Sequence, residues 1–190
     1  MPNRVRSDSS TSSSNAQTSV AQPASERVDP KLLLAIVATG LMAFIGILTE
    51  TMTNVLFPTL MEEFHIGTAM VQWLTTGYLL VVSIVTPLSS YLNHRFTLKT
   101  SFIAAVVLCI AGLLLASLAV NFPMLMIARI LQGAGTGVAL PLMFNIILEQ
   151  SPRSRLGLLM GVGNMVCAIA PALGPTVGGV GVAAIGWRWM

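Results

Sequence analysis

The chain has 190 residues, of which 54% are hydrophobic and only 9% are charged, and its formal net charge at pH 7 is +3. Soluble domains typically carry about 25% charged residues, so this composition excludes an ordinary soluble protein and indicates a membrane protein. No Walker A, GxGxxG or HExxH motif occurs, and the basic residues are spread over short links between apolar runs. We therefore expect no enzyme activity, no cofactor or metal, and no nucleic-acid partner.

Residues 1–30 form a polar tail with eight serines and no aromatic residue. Such a segment cannot bury enough apolar surface to fold, so the sequence predicts a disordered tail. The first apolar run begins at Leu32 and is too long for the apolar region of a cleaved signal peptide. We therefore expect this run to remain in the mature protein as a membrane anchor.

Five apolar segments are each long enough to cross a hydrocarbon core of about 30 Å, which requires about 20 helical residues. The predicted spans are about 32–58, 70–92, 101–120, 123–149 and 156–182. Eight of the ten lysines and arginines lie in residues 1–31, in the second-to-third link or in the fourth-to-fifth link. Because such residues are enriched on the cytoplasmic side, we predict an all-α, multi-pass membrane protein whose amino terminus is cytoplasmic.

Two charged residues lie well inside predicted spans and away from their ends, Glu50 in the first and Arg129 in the fourth. A charge at mid-bilayer costs about 2.5–3.5 kcal/mol on insertion scales, so we expect both side chains to face the bundle interior. Helix rise places them at similar depth, about 12 and about 9 Å from the outer ends of their helices. They either pair or face one water-filled cavity, and a titrating carboxylate and a static ion pair both remain open. Asn54 and Gln132, one turn further along, extend these polar faces.

The fifth predicted span combines small residues with prolines. Ala170, Gly174 and Gly178 are four residues apart and form a smooth ridge that lets another helix approach closely. Pro171 and Pro175 each remove a helix hydrogen bond. We therefore expect this helix to run antiparallel to the fourth span and to bend near the prolines against a close neighbour. A re-entrant fifth segment is the alternative.

Three motifs occur in order along the spans. The first span ends in Asn54-Val-Leu-Phe-Pro58, and the fourth contains Arg129-xx-Gln-Gly-x-Gly. The fifth contains Ala170-xxx-Gly174-Pro175-xx-Gly178-Gly179, and Trp187-Arg188-Trp189 follows it as a predicted interfacial anchor. Together, over residues 32–190, these motifs resemble those of the fourteen-span drug/proton antiporters of the major facilitator superfamily. The family often has Asp where Thr49 stands; a glutamate at position 50 resembles a lincomycin-efflux-like branch of Gram-positive bacteria.

The link between the second and third spans matches the family's loop motif in part. The family pattern is Gly-x-Leu-x-Asp-Arg-x-Gly-Arg-Lys. This chain keeps Leu92, Arg95 and Lys99, but it has Ser90 and His94 in place of the glycine and the aspartate. The link is thus a degenerate form of the cytoplasmic gating motif.

The resemblance implies that the chain is the amino-terminal part of a proton-coupled multidrug efflux antiporter in a bacterial plasma membrane. It assigns Glu50, Asn54, Arg129 and Gln132 to a proton-coupling or substrate cavity. It further implies a lipid bilayer as surroundings, and protons and amphiphilic or cationic compounds as substrates of the complete protein. Because such transporters have two six-helix bundles, we expect an incomplete first bundle and a missing carboxy-terminal part. A solute/proton symporter and a truncated fragment that does not transport are the alternatives.

Overall fold

The computed structural model describes residues 30–95 and 97–186, and all regular structure in that part of the chain is helical. The predicted all-α class with five membrane spans is confirmed, because five helical stretches are long and apolar enough to cross a bilayer. The predicted disorder of the tail and the predicted anchor at Trp187-Arg188-Trp189 concern residues outside the described ranges. The helices are α1 (Pro30–Phe64), α2 (Thr68–Val71), α3 (Trp73–Arg95), α4 (Leu98–Ser117), α5 (Phe122–Gln150) and α6 (Leu156–Ile185).

The first helix is longer than the sequence suggests. It continues through Pro58 and ends at Phe64, so residues expected in a polar link form its last turn. His65 then adopts a left-handed conformation with φ of 52°. The backbone N–H of Ile66 donates to the carbonyl of Met61 at 3.2 Å, which closes the helix end. One proline removes one helix hydrogen bond, and the remaining bonds carry the helix past it.

The link between the second and third spans also differs from the prediction. The last turn of α3 contains His94 and Arg95, and α4 begins at Leu98, so only Phe96 and Thr97 separate the two helices. Thr97 caps α4, because its hydroxyl accepts a hydrogen bond from the backbone N–H of Thr100 at 3.4 Å. Most of the predicted loop motif is therefore helical.

The long helices are arranged around α5. Helices α3 and α4 pack on two sides of α5 and α1 packs on a third, whereas α6 packs mainly on α1. Close approach depends on glycines of α5: a Cβ at Gly133 would lie 2.9 Å from the carbonyl of Tyr78 in α3. A Cβ at Gly135 would lie 2.9 Å from the carbonyl of Ala105 in α4. These glycines let two neighbouring backbones contact α5 directly.

Pro141 interrupts the hydrogen-bond ladder of α5 and is compensated from α3. Proline has no N–H, so the carbonyl of Gly137, four residues earlier, loses its helical donor. The hydroxyl of Thr86 donates to that carbonyl at 3.4 Å. A neighbouring helix thus satisfies a freed backbone group, as is required in lipid.

The fifth span, α6, is one continuous helix of 30 residues that includes Pro171 and Pro175. At 1.5 Å per residue it is about 45 Å long, so the re-entrant alternative is wrong. The bend near the two prolines stays a prediction. Large apolar side chains cover the outward faces of the bundle, including Leu34, which is 73% exposed, and Val180, which is 66% exposed. A bilayer would cover such a surface.

Candidate functional site

Arg129 connects α5 to α1. Its side chain is only 6% exposed. Its Nη1 and Nη2 atoms donate to the backbone carbonyl of Thr49 at 3.5 and 3.4 Å, and Nη1 also donates to Oε1 of Gln132 at 3.1 Å. The guanidinium therefore reaches the residue that directly precedes Glu50. The depth match that helix rise predicts for Glu50 and Arg129 agrees with this contact.

Glu50 is half-buried on α1 and close to this guanidinium without binding it directly. Among the described residues, no ion pair joins the two side chains, although they interact electrostatically at longer range. The sequence leaves open whether Glu50 and Arg129 pair directly or face one cavity. Direct pairing of the two side chains is not observed. The positive charge of Arg129 is satisfied by a carbonyl and an amide, and the carboxylate of Glu50 is not held by it.

Two further side chains, Tyr78 and Thr136, complete the buried polar layer. The Tyr78 hydroxyl donates to the backbone carbonyl of Gly46 at 3.1 Å, and Tyr78 is 2% exposed. The Thr136 hydroxyl donates to the carbonyl of Gln132 at 3.1 Å, and Thr136 packs against Gly46, where an added Cβ would collide with it. Neither residue is among the site residues predicted from the sequence. For Thr136 a signal exists, because it follows Gln132 by four residues and shares its helix face; for Tyr78, inside an apolar run, none does.

Apolar clusters close the polar layer on both sides along the helix axes. On one side lies a cluster that includes Leu56, Leu74 and Leu125, and on the other a cluster that includes Ala43 and Ala139. A charge between two apolar clusters is poorly screened, so the electrostatic interactions of Glu50 and Arg129 are stronger here than at a surface.

A small, partly open pocket lies beside the polar layer. Its volume is about 20 Å³, enough for about one water molecule. Glu50 and Arg129 do not line it, so it is not a water-filled chamber that both groups face. Among the described residues, no three His, Cys, Asp or Glu side chains are grouped closely enough to hold a metal ion. The lining residues are Ile45, Gly46, Thr49, Cys109, Leu113, Gln132 and Thr136.

Asn54 lies one turn beyond Glu50 and joins α1 to the second span. Its Oδ1 accepts a hydrogen bond from the Thr75 hydroxyl at 2.8 Å, and its side chain is exposed. It thus extends the Glu50 face, as the sequence predicts, but toward α3 and not toward Arg129.

The fifth-span motif divides into buried and exposed residues. Ala170 is fully buried, and Gly174 and Gly178 pack against α1: a Cβ at Gly174 would collide with Thr51, and one at Gly178 would lie 3.3 Å from Cα of Met52. The expected small-residue ridge of α6 therefore packs against α1, at the two residues that directly follow Glu50. The two other motif residues, Pro175 and Gly179, are exposed.

The loop-motif residues are not part of this cluster. Ser90, Leu92, His94 and Arg95 lie in the last turns of α3, and Lys99 is exposed in the first turn of α4. Lys99 borders a separate groove of about 260 Å³ between α1, α4 and α5, which is lined by Ala35, Ala38, Thr39, Leu98, Lys99, Phe102, Ile146 and Gln150.

Comparison with known proteins places this arrangement in a family. The model of the Major Facilitator Superfamily matches residues 39–190. The chain belongs to the Major Facilitator Superfamily. It is 45% identical to lincomycin resistance protein LmrB of Listeria monocytogenes over 83% of this chain and 34% of that protein. It is 32% identical to a multidrug resistance protein B homolog of Mycobacterium tuberculosis over 87% of this chain and 31% of that protein.

A solved structure shows the same superfamily fold. The bacterial homolog of the human lysosomal transporter Spinster, in an inward-facing and unoccupied conformation, aligns with a TM-score of 0.68 at 16% identity. The alignment covers 85% of this chain and 36% of that one. The chain thus spans about a third of the length of the curated relatives it matches. The predicted superfamily and fold are confirmed, while the roles of individual site residues stay predictions.

Proposed function

We propose that the complete transporter exports amphiphilic or cationic drugs in exchange for protons, with Glu50 as the proton-carrying carboxylate. The similar proteins named above are a lincomycin resistance protein and a multidrug resistance protein B homolog, which supports drugs as the substrate class. The observation that carries the proposal is the state of Glu50: a half-buried carboxylate inside a span that no cation neutralises directly.

A carboxylate in this position is suited to exchange a proton for a cation. An ionised group in a membrane span is unfavourable unless something compensates its charge. A proton or a cationic drug would each compensate it, so the two compete for one site. Arg129 is bonded to the Thr49 carbonyl and to Gln132, so it does not take the place of either occupant at the carboxylate. Competition of this kind is the thermodynamic requirement for antiport.

The proposed location is a bacterial plasma membrane with the amino terminus in the cytoplasm. Arg153 and Arg155 lie exposed in the short link between α5 and α6, and Lys99 lies exposed in the first turn of α4. If successive spans alternate in direction, the α5–α6 link and the start of α4 lie on the same side of the membrane as the amino terminus. A concentration of basic residues on one side supports a cytoplasmic assignment for it.

The decisive experiment is proton-driven drug transport in vesicles that contain the complete protein. We expect Glu50→Gln to reduce pH-gradient-driven export at least about tenfold, because the loss of one required protonation step removes the coupling. Glu62→Gln is the matched control, since Glu62 is an exposed glutamate on the same helix. Normal export by the Glu50→Gln variant would contradict the proposal.

The direction of proton movement separates the antiporter from a solute/proton symporter. When drug is added outside vesicles, an antiporter moves protons out and the lumen becomes more alkaline. A symporter would carry protons in with the drug and acidify the lumen. We expect alkalinisation that is absent in the Glu50→Gln variant, and acidification would favour the symporter.

A non-transporting fragment is the alternative for the 190-residue chain by itself. It is favoured by the observation that the chain spans about a third of its relatives. Expression of residues 1–190 in a drug-sensitive host is expected to leave drug accumulation unchanged. Reduced accumulation would mean that these spans alone, or assembled as copies, form a pathway.

A further inference from the structure

Tyr78 of α3 bonds to the turn of α1 that precedes Glu50. Its hydroxyl donates to the carbonyl of Gly46 at 3.1 Å. In an α-helix the carbonyl of residue 46 is also the acceptor for the backbone N–H of residue 50. The phenol of Tyr78 and the amide of Glu50 therefore converge on one carbonyl, and the position of Tyr78 is linked to that of Glu50 through a single backbone group.

Three helices are in close contact at this point. A Cβ at Gly46 would collide with Thr136 of α5, and a Cβ at Gly133 of α5 would lie 2.9 Å from the carbonyl of Tyr78. Tyr78 and Thr136 are each 2% exposed. Because packed interiors deform little, a displacement of α1 at Gly46 must be accompanied by movement of Tyr78 or Thr136.

The ionisable surroundings of Glu50 come from three helices. Arg129 approaches from α5 and interacts electrostatically with Glu50, and Tyr78 approaches from α3. The Cys109 thiol of α4 lies near Tyr78. On α6 the only ionisable side chain is Cys167, which packs against an apolar cluster of α1, α5 and α6. Within residues 30–95 and 97–186, Arg129 thus supplies the one cationic charge near Glu50, so the distance between these two residues largely sets their electrostatic coupling.

We propose that Tyr78 is a positioning residue for the protonation of Glu50. By bonding to the Gly46 carbonyl, it fixes the turn of α1 that carries Glu50 at a set distance from Arg129. This inference rests on the proposed function, in which Glu50 takes up the proton. The hydroxyl contacts the backbone and not the carboxylate, so Tyr78 acts through α1.

The test measures protonation of Glu50 directly and does not require transport. Dicyclohexylcarbodiimide modifies protonated carboxyl groups in apolar surroundings, and mass spectrometry of the Glu50 peptide as a function of pH gives a labelling midpoint. The complete protein in membrane vesicles is used, and Glu50→Gln defines the background. Tyr78→Phe removes the hydroxyl alone. The matched control is Tyr91→Phe, because Tyr91 lies on the same helix and is 62% exposed.

We expect Tyr78→Phe to shift the labelling midpoint to higher pH by about half to one unit, which corresponds to one hydrogen bond. The direction follows because the positive charge of Arg129 favours the ionised carboxylate, and a less firmly held α1 loosens this contact. Tyr91→Phe should leave the midpoint unchanged. A merely structural tyrosine would alter thermal unfolding without moving the labelling midpoint.

Superposition of the Tyr78→Phe profile on the parent profile would overturn the inference. If Tyr78→Phe does not fold, Tyr78→Met replaces it, because methionine also lacks the hydroxyl and adapts its shape to an apolar site. The same shift is then expected, and an unshifted profile again overturns the inference. Failure of the proposed function is distinguishable, because it is seen as normal transport by Glu50→Gln, whatever the labelling profiles show.

Discussion

At the scale of single residues, Arg129 joins two helices through the main chain. The Thr49 carbonyl of α1 accepts two hydrogen bonds from the Arg129 guanidinium. The side-chain amide of Gln132 on α5 accepts a third bond and orients the guanidinium. The planar, forked guanidinium of arginine can donate to two acceptors in fixed directions, which the ammonium group of lysine does less well. Sequence reasoning places the arginine beside Glu50 correctly in depth, but its partner is the Thr49 carbonyl.

This geometry predicts different outcomes for two substitutions of Arg129. Arg129→Ala removes the bonds to Thr49 and Gln132, and we expect a loss of about 2 kcal/mol in the free energy of unfolding, as for buried charge-assisted hydrogen bonds. Arg129→Lys keeps the charge but not the fork, so we expect an intermediate loss. Thermal unfolding in detergent measures both, with the exposed Arg153→Ala as control. Equal stability of all three variants would contradict the role of the guanidinium.

At the scale of helices, small residues determine which elements pack closely. The glycines of α5 admit α3 and α4, while those of α6 admit α1. Because lipid supplies no hydrophobic drive between helices, close backbone contact and van der Waals packing stabilise such interfaces.

Two glycines of α6, five residues apart, provide a matched test of this packing. A Cβ at Gly174 would collide with Thr51, whereas one at Gly179 has no neighbouring heavy atom within 4 Å. Gly174→Ala should cost about 1–3 kcal/mol of unfolding free energy through overpacking. Gly179→Ala should be neutral or stabilising by up to about 1 kcal/mol, because alanine favours helix. Thermal unfolding of both variants decides, and equal losses would mean that the α1–α6 contact is looser than described.

At the scale of the whole molecule, the bundle consists of α5 with three neighbouring long helices and of α6 attached through α1. The outward faces are apolar, and the polar layer around Arg129 lies between apolar clusters. Thr51 and Met52 form the contact of α1 with α6. Movement of α6 relative to α1 would therefore displace the residues that directly follow Glu50.

A disulfide between α1 and α6 tests this assembly in the membrane. The Cβ of Met52 lies 3.5 Å from a Cβ built at Gly178, which is within the range of disulfides. With Cys109 and Cys167 replaced by alanine, we expect Met52→Cys with Gly178→Cys to lose both free thiols on oxidation. Maleimide labelling measures this loss. The pair Met52→Cys with Gly179→Cys is the control and should stay reduced; equal labelling of the two pairs would contradict the packing.

The sequence by itself determined the number and approximate position of the spans, because a bilayer requires about 20 consecutive apolar residues in each crossing helix. It also determined features with a fixed helical repeat. The Ala170, Gly174 and Gly178 ridge and the shared face of Arg129 and Gln132 follow from 3.6 residues per turn. The depth of Glu50 relative to Arg129 follows from helix rise in the same way.

Only the tertiary structure decided which groups touch. The choice of α1 as partner of the α6 ridge, and of the Thr49 carbonyl as partner of Arg129, depends on how helices are rotated and placed, which local periodicity does not specify. The same holds for Tyr78, whose hydroxyl finds its acceptor on a helix 32 residues away in sequence. The end of α1 also depends on tertiary packing. The helix continues past Pro58 because Leu60, Met61 and Phe64 pack in the apolar cluster of Leu74 and Leu125.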